Sequence, residues 1–432
     1  MTVFIAGTGS VGLVTAACLA QKGHNVICYD INPTVISKLE NGICHIYEPG
    51  LKDLLAGNAD RLKFTLNIGD ISNADVVIIC VPTPSLKNGS ADLTAVWQTV
   101  EDAIPLINKD CVIAVKSTVP PGTCTAIAEY VSGHCPKDVC VTVAANPEFL
   151  SQGKAVQDTL CPHRIVAGVN NFRTEEVMRT LYAEFAAPLV VTDFSSAEMI
   201  KYASNCFLAT RVSFINEIAN LCEIVGTDIK TVSYGMGLDP RIGADYLEAG
   251  VGYGGSCLSK DVSALIALGE KNNSKTPLCQ AVAEVNDMQK YILISKLRKY
   301  YASFRGLKIA VIGYAFKLRT NDINFSIAKE NIDLLLAEGA TVSLFDPLCM
   351  HEVMQLFNGK EITVCEQIED VLYDADACLI FTAQPEIVKL SPSVFSSQMR
   401  RAVVLDGRNC LDSAQFQDTG VIYEGVGTLP IN

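Results

Sequence analysis

The feature that most constrains the fold is a glycine-rich turn close to the start of the chain. An apolar run, Thr2–Ala6, leads into the sequence GTGSVG at 7–12, and a segment with helical periodicity follows at 13–22. A second apolar run, Asn25–Tyr29, then ends at Asp30. This order of strand, GxGxxG turn, helix, strand and acid is typical of a dinucleotide-binding Rossmann unit.

The acid at the end of the second strand predicts NAD rather than NADP. The Asp30 carboxylate would accept hydrogen bonds from the adenosine ribose and repel a 2′-phosphate. The next residues, 31–33, contain no arginine that could hold such a phosphate. Because glycines allow the pyrophosphate to approach the helix N-terminus closely, we expect NAD to bind at this turn. The predicted cofactor residues here are Gly7, Gly9, Ser10, Val11, Gly12 and Asp30.

Polar side chains follow the next three predicted strands, at 75–81, 111–116 and 139–145. These side chains are Thr83, Thr118 and Glu148. The carboxyl ends of strands in an open parallel sheet form its ligand crevice, so we expect all three to face one site. A turn or a helix cap is the alternative for any one of them alone. His163 and Arg164, in a later loop, are interpreted as solvated surface.

A long helix without glycine or proline is predicted at 194–224. Its apolar residues recur at helical spacing, which indicates a mostly buried helix between domains. Lys201 and Asn205 are four residues apart and therefore lie on one face. A buried lysine is costly unless it meets an anion or a developing negative charge, although a lysine at the edge of the helix is the alternative.

A second glycine-rich stretch, GYGGSCLSKD at 252–261, is a candidate catalytic loop. A cysteine at the start of the following helix would have its thiolate stabilised by the helix dipole. Asp261 comes four residues after Cys257 and would point the same way on a helix. An inert cysteine after a turn is the alternative, since most cysteines are small core residues. Arg241, in LDPRIG, is a candidate for holding an anionic or polyhydroxyl ligand. An ordinary surface arginine is the alternative.

The order of elements at the amino terminus recurs at 306–346. A predicted strand, a helix at 326–338 and a second strand ending at Asp346 follow one another, but GYAFK at 313–317 replaces the GxGxxG turn. The bulkier residues and Lys317 favour a nucleoside diphosphate over a second NAD. A last predicted strand places Arg408 at its carboxyl end. The fold class is therefore α/β, with two Rossmann-like doubly wound domains joined by a long central helix and a helical middle region.

Composition excludes several classes of function. The 432 residues carry a net charge of −13, which disfavours nucleic acid and anionic membranes as partners. The 17 cysteines include no CxxC pair and are interpreted as reduced thiols. The first residues lack the basic stretch of a signal peptide, and no apolar run reaches about 18 residues. We expect a soluble cytoplasmic enzyme without a bound metal.

The motifs together resemble those of the UDP-glucose/GDP-mannose dehydrogenase family. They occur in order along nearly the whole chain, as GTGSVG, VPTP, KSTVPPGT, NPEFL, EMIKYASNCFLATRVSFINE, LDPRIG, GYGGSC and GYAFK. The resemblance implies an NAD-binding domain at 1–193, a central helical region with the cysteine loop at 194–304, and a UDP-sugar-binding domain at 305–432. It also implies a homodimer or a larger homo-oligomer, with UDP-glucose as substrate and two NAD reduced per sugar.

The resemblance further implies a role for each matching residue. Cys257 is expected to form a thiohemiacetal and then a thioester, Lys201 to stabilise the oxyanion, and Glu148 to accept a proton from water. Thr118 and Asp261 would help hold that water, and Asn205 would orient the sugar. Arg241 would reach the sugar, from its own subunit or a partner. The remaining expected contacts are Thr83, Thr118, Glu148 and Lys260 for the cofactor, and Phe149, Leu150, Tyr246, Gly254, Phe316, Lys317 and Arg408 for the substrate.

Three departures from the family pattern bear on cofactor binding. Ser259 replaces the usual proline, Ser151-Gln152 replaces Arg-Glu, and Asn324 replaces an arginine that normally helps hold NAD. None removes the cysteine, so activity with weaker NAD binding is expected. Three alternatives stay open: another nucleotide sugar such as GDP-mannose or UDP-N-acetylmannosamine, a two-electron hydroxyacid dehydrogenase, and a cofactor-binding protein without turnover.

Overall fold

A computed structural model describes residues 1–357 and 362–432, which divide into two compact units. The first unit is residues 1–204 with 267–273, and the second is residues 205–266 with 274–432. The three domains predicted above, with boundaries after 193 and 304, stay a prediction. Within the described residues, no helix is both long and apolar enough to span a membrane.

Eight strands form one sheet in the described part of the first unit, in the order β3-β2-β1-β4-β5-β6-β7-β8. They are β1 (Thr2–Ala6), β2 (Asn25–Tyr29), β3 (Leu62–Thr65), β4 (Val76–Ile79), β5 (Cys111–Val115), β6 (Val141–Ala145), β7 (Ile165–Gly168) and β8 (Leu189–Thr192). All neighbours are parallel except β6 and β7. Helices alternate with these strands: α1 (Ser10–Gln21), α2 (Pro33–Glu40), α3 (Leu51–Gly57), α4 (Thr94–Ala103), α5 (Thr123–His134), α6 (Ala155–Leu160) and α7 (Phe172–Leu181).

The chain order places the predicted ligand crevice at the carboxyl ends of β1 and its neighbours. The central strands β1, β4 and β5 are rich in Val and Ile and almost wholly buried, as expected when helices cover both faces of a parallel sheet. Strand order reverses direction at β1, with β2 on one side and β4 on the other. Turns leaving β1, β2, β4, β5 and β6 therefore share one edge, which is where such sheets bind ligands.

The helices of the middle region begin with α8 (Phe194–Val225), which carries residues of both units. They continue as α9 (Ile229–Gly237), α10 (Ser256–Lys271), α11 (Pro277–Gln289) and α12 (Ile292–Tyr300). The expected start of α8 is confirmed. Asp193 caps its first turn, because its carboxylate accepts a hydrogen bond from Ser196 N at 2.8 Å. The region 277–300 forms two helices, because α11 ends at Gln289 and α12 begins at Ile292.

A second parallel sheet lies in the described part of the second unit, in the order β11-β10-β9-β12-β13-β14. Its strands are β9 (Lys308–Ile312), β10 (Thr341–Phe345), β11 (Ile362–Val364), β12 (Ala377–Ile380), β13 (Val403–Asp406) and β14 (Ile422–Gly425). The helices are α13 (Ile327–Ala337), α14 (Met350–Leu356), α15 (Ile368–Leu372) and α16 (Pro392–Gln398). The prediction of two Rossmann-like sheets and a long central helix is confirmed.

Candidate active site

The glycine turn after β1 is shaped by contacts that leave no room for side chains at two of its three glycines. A Cβ on Gly12 would lie 1.9 Å from Gly7 O, and a Cβ on Gly7 would lie 2.7 Å from Cys80 O. Gly7 also has a φ of +97°, which glycine adopts without strain. By contrast, no described atom lies within 4 Å of a Cβ on Gly9. The open side of the turn is therefore at Gly9, where a pyrophosphate would approach the start of α1.

Asp30, at the end of β2, closes this turn. Its Oδ2 accepts hydrogen bonds from Thr8 N at 2.9 Å and Thr8 Oγ1 at 2.7 Å, and its Oδ1 accepts one from Asn32 N at 3.0 Å. The carboxylate is half-buried and retains accepting capacity for a sugar hydroxyl. These residues fit the adenosine half of NAD.

A histidine that the sequence analysis did not single out lies beside this turn. The His45 ring contacts the backbone carbonyl of Thr8 and lies within electrostatic range of Asp30. Its Nδ1 is buried and has no hydrogen-bond partner among the described residues. Burial lowers the pKa of His45 below its ordinary value, and Asp30 opposes that shift. Periodicity could not have found His45, because it lies in the irregular segment between α2 and α3.

Thr83, Thr118, Glu148 and Lys201 lie at the carboxyl edge of the first sheet. Thr83 Oγ1 donates a hydrogen bond to Thr118 O at 3.0 Å, which joins the turns after β4 and β5. Lys201 Nζ is 2.8 Å from Glu148 Oε1, and Thr118 and Lys201 line one small cleft. The Lys201 side chain is 4% exposed, so the carboxylate stabilises an ammonium group that burial alone would disfavour. Lys201 lines this cleft and Glu148 is ion-paired with it, so the pair can stabilise an anion and accept a proton.

Phe149 and Leu150 continue from Glu148. Leu150 N donates a hydrogen bond to Glu148 Oε2 at 2.7 Å, which fixes the carboxylate. The ring of Phe149 lies 3.6 Å from the Arg164 guanidinium carbon and 5.5 Å from Lys201 Nζ. The interpretation of Arg164 as solvated surface was therefore wrong: its side chain is partly buried on an aromatic face, and burial lowers its pKa. His163 is exposed, as expected.

Ser151 and Gln152 replace the Arg-Glu pair usual in the family, and Gln152 contacts the first residue of α1 after the glycine turn. Gln152 Nε2 is 3.3 Å from Ser10 Oγ, at the start of α1. Ser151 N donates to Asp158 Oδ2 at 2.9 Å, so this loop is held by α6.

Asn324, which replaces the usual arginine, is exposed, and its side chain donates a hydrogen bond to Asp322 Oδ1 at 2.7 Å. Its amide is thus engaged within its own turn.

In the second unit, Cys257 is exposed in the first turn of α10, directly after the glycine-rich loop. The same unit holds Asp261 one turn later, almost wholly buried, between two donors. Asn205 Nδ2 lies 2.6 Å from Asp261 Oδ2, and Lys260 Nζ lies 2.8 Å from Asp261 Oδ1. An exposed thiol at a helix N-terminus can react with an electrophile. The buried thiol of Cys206, beside Asp261, is much less reactive, because burial raises its pKa to about 12.

The glycines of this loop are required by the protein's own packing. A Cβ on Gly255 would lie 2.7 Å from the Phe316 ring, and one on Gly254 would lie 2.6 Å from Phe325 O. A Cβ on Gly252 would lie 2.6 Å from Asn286 Oδ1. The cysteine loop therefore packs directly on the segment that includes GYAFK.

Arg408 joins the cysteine loop to that segment. Its guanidinium donates to Phe381 O at 2.8 Å, Gly252 O at 3.2 Å and Phe316 O at 3.4 Å. Burial lowers the pKa of Arg408 to about 10. The contact between Gly252, Phe316 and Arg408 brings together three regions predicted from separate parts of the sequence.

Within the described residues, three other predicted substrate residues, Arg241, Tyr246 and Lys317, make none of the contacts that link Arg408 to the cysteine loop. Arg241 has a side chain that is 87% exposed and ion-paired with Asp239 at 2.6 Å. Tyr246 is partly buried and has a φ of +63°. Lys317 Nζ lies 5.8 Å from the centroid of the Phe316 ring. The roles of all these residues stay predictions.

Comparison with known proteins covers nearly the entire chain. Three models of the UDP-glucose/GDP-mannose dehydrogenase family match it: the NAD binding domain at residues 1–186, the central domain at 195–288 and the UDP binding domain at 310–413. The UDP-glucose 6-dehydrogenase TuaD of Bacillus subtilis is 39% identical over 98% of this chain and 93% of its own length.

Solved structures agree with these matches. A UDP-glucose dehydrogenase from Pyrobaculum islandicum has a TM-score of 0.92 and 35% identity, covering 99% of this chain and 98% of its own. A UDP-D-ManNAc dehydrogenase from Pyrococcus horikoshii has a TM-score of 0.86 and 26% identity, with 99% of both chains covered.

Proposed function

Because the chain belongs to the UDP-glucose/GDP-mannose dehydrogenase family and is an NAD-dependent oxidoreductase, we propose that it oxidises UDP-glucose to UDP-glucuronate. This reaction removes four electrons from the sugar C6. Bound NAD supplies the hydride acceptor, once for each of the two oxidations. Side chains of this protein would carry out the covalent and proton-transfer steps.

The observation that carries the proposal is the exposed Cys257 thiol in the first turn of α10. The first oxidation converts the C6 alcohol into an aldehyde, with loss of a hydride and a proton. The Cys257 sulfur then bonds to the aldehyde carbon, and the oxygen takes up a proton to give a thiohemiacetal. A second loss of hydride and proton gives a thioester. Water breaks the carbon–sulfur bond and leaves a carboxylate and the regenerated thiol.

The ion pair of Lys201 and Glu148 supports the oxyanion and proton-transfer steps. The Lys201 ammonium would stabilise negative charge on the C6 oxygen, since a buried cation stabilises charge more than an exposed one. Glu148 would accept the proton of the attacking water, helped by Thr118, which lines the same cleft as Lys201. The 2.8 Å contact between Lys201 and Glu148 keeps the carboxylate next to that cation.

The second unit supplies the proposed substrate contacts. Asn205 would orient the sugar, since Asp261 fixes its amide at 2.6 Å. Phe316, Lys317 and Arg408 would meet the UDP portion, consistent with the UDP binding domain match at 310–413. The cytoplasmic location expected from the sequence stays a prediction.

We propose in addition that the chain forms a homodimer through one face of α8. Phe207, Phe214 and Leu221 are spaced seven residues apart on this helix and are 62%, 48% and 50% exposed. Such a row of apolar side chains is the pattern of a helix-packing face. Light scattering should give twice the chain mass, and Phe214→Glu should shift the protein toward monomer. Phe172→Glu, at an apolar residue of α7 that is 72% exposed, is the matched control. A monomeric wild type would refute the proposal.

A second nucleotide sugar is a candidate because the Pyrococcus horikoshii structure named for UDP-D-ManNAc matches this chain over nearly its whole length. The two candidates share the cysteine chemistry and differ in the substituent at the sugar C2. Turnover of each sugar nucleotide, compared as kcat/KM, decides between them. We expect the value for UDP-glucose to be at least about tenfold higher.

The decisive experiment is NADH stoichiometry with limiting UDP-glucose. Wild type should form two NADH per sugar, because the thioester permits the second oxidation. Cys257→Ser should lose turnover by roughly 10³-fold or more. Cys161→Ser, at another exposed cysteine, is the matched control and should keep wild-type activity. One NADH per sugar, or full activity in Cys257→Ser, would refute the covalent mechanism.

A further inference from the structure

The ribose of adenosine presents two adjacent hydroxyl groups, and Asp30 can accept a hydrogen bond from one of them. A carboxylate offers roughly four accepting sites. Three at Asp30 are already occupied, by Thr8 N, Thr8 Oγ1 and Asn32 N. A second acceptor near Asp30 would therefore be needed to satisfy both hydroxyls.

His45 carries a suitable group in this position. Its ring contacts the Thr8 carbonyl and lies close enough to Asp30 for their charges to interact. Nδ1 is buried and has no partner within residues 1–357 and 362–432. A buried polar atom without a hydrogen bond costs free energy, so a ligand that supplies one gains affinity.

We propose that His45 is a cofactor-recognition residue whose Nδ1 accepts a hydrogen bond from a ribose hydroxyl on the adenosine half of NAD. The other ring nitrogen carries the proton and donates it to the Thr8 carbonyl, which fixes the tautomer. Two charged groups act on the ring: Asp30 after β2, and Lys38 on α2. Burial lowers the pKa of His45, so the ring is neutral at physiological pH and Nδ1 is an acceptor. This inference does not depend on which sugar nucleotide is oxidised.

Two substitutions distinguish the contributions of the two ring nitrogens of His45. His45→Gln places an amide near the outer ring nitrogen, so it preserves a donor toward Thr8 and removes the acceptor at Nδ1. His45→Asn places its side-chain oxygen near the position of Nδ1 and stays neutral at every pH. We expect His45→Gln to weaken NAD+ binding about fivefold, the usual loss for one hydrogen bond, and His45→Asn to weaken it less.

The test is isothermal titration calorimetry with NAD+, 2′-deoxy-NAD+ and 3′-deoxy-NAD+, in the absence of any sugar nucleotide. If Nδ1 contacts a ribose hydroxyl, the loss caused by His45→Gln disappears for the analogue that lacks that hydroxyl. A loss of the same factor for all three ligands would assign His45 a purely structural role and overturn the proposal. So would unchanged binding of NAD+ by His45→Gln. Thermal unfolding of each variant confirms that it is folded at the titration temperature.

Discussion

The turns after the first strand of each sheet have the same plan, but their acids have different surroundings. In the first sheet, Asp30 at the end of β2 accepts hydrogen bonds from Thr8 in the turn after β1. In the second sheet, Asp346 at the end of β10 accepts them from Tyr314 N at 2.7 Å and Ala315 N at 2.9 Å, in the turn after β9. Asp30 is half-buried, whereas Asp346 is 1% exposed.

The difference lies in what fills the turn. Gly313 has a φ of +83°, and a Cβ on it would lie 2.6 Å from Thr382 N, so this glycine is as constrained as Gly7. Tyr314 follows it and is wholly buried. The second acid is therefore enclosed by protein and fixes the turn. The first remains accessible to a ribose. An acid at the end of the second strand of such a unit is thus evidence for a nucleotide only where its surroundings are open.

The largest expected effect comes from exchanging these acids for alanine. Asp346→Ala leaves the buried amides of Tyr314 and Ala315, and that of Leu348, without their acceptor. We expect a loss of about 3 kcal/mol or more in the free energy of unfolding, measured by urea denaturation. Asp30→Ala should lose about 1 kcal/mol, because Asp30 is half-buried and water can take the place of its carboxylate beside Thr8 and Asn32. The same substitution should weaken NAD+ binding about tenfold.

Calorimetry of folded Asp346→Ala with NAD+ completes this comparison. Its affinity for NAD+ should equal that of wild type, since the second turn has no role in holding the dinucleotide. Asp346→Asn keeps one accepting oxygen and should recover part of the stability. Equal losses of stability for both alanine variants would show that the two acids are equivalent and would remove the contrast.

A smaller effect, confined to binding, is expected from Gly9→Ala. No atom in the described chain lies within 4 Å of the added methyl group, and a φ of −69° suits any residue. The temperature of unfolding should therefore stay within about 2 °C of wild type. The methyl group would occupy the side on which the pyrophosphate approaches, so NAD+ affinity should fall about five- to tenfold. Unchanged affinity, measured by NADH fluorescence titration, would place the dinucleotide elsewhere.

Much of the fold could be predicted from the sequence because its signals are local. The runs at Thr2–Ala6 and Asn25–Tyr29 match their strands residue for residue. The first is buried almost throughout and forms a continuous apolar run, whereas the second buries Val26 and Cys28 in alternation. Short or half-exposed strands such as β3 and β11 were not predicted, because their composition does not differ from that of loops.

The candidate site was predicted where a motif supplied the residue and missed where only three-dimensional packing did. Cys257, Lys201 and Glu148 stand in motifs. Arg164 was interpreted as surface because its partner, the Phe149 ring, is 15 residues earlier in the chain. His45 lies near Thr8 only after the chain has passed through β2 and α2. Contacts of this range have no periodicity, so they need coordinates.

The three carbonyl oxygens held by Arg408 restrict how this enzyme can diverge. They belong to Phe381, Gly252 and Phe316, which lie far apart in the sequence, and they are reached through all three nitrogens of one planar group. Lysine offers a single nitrogen and cannot replace that geometry. Descendants of this chain would have to rebuild three loops at once to dispense with the arginine.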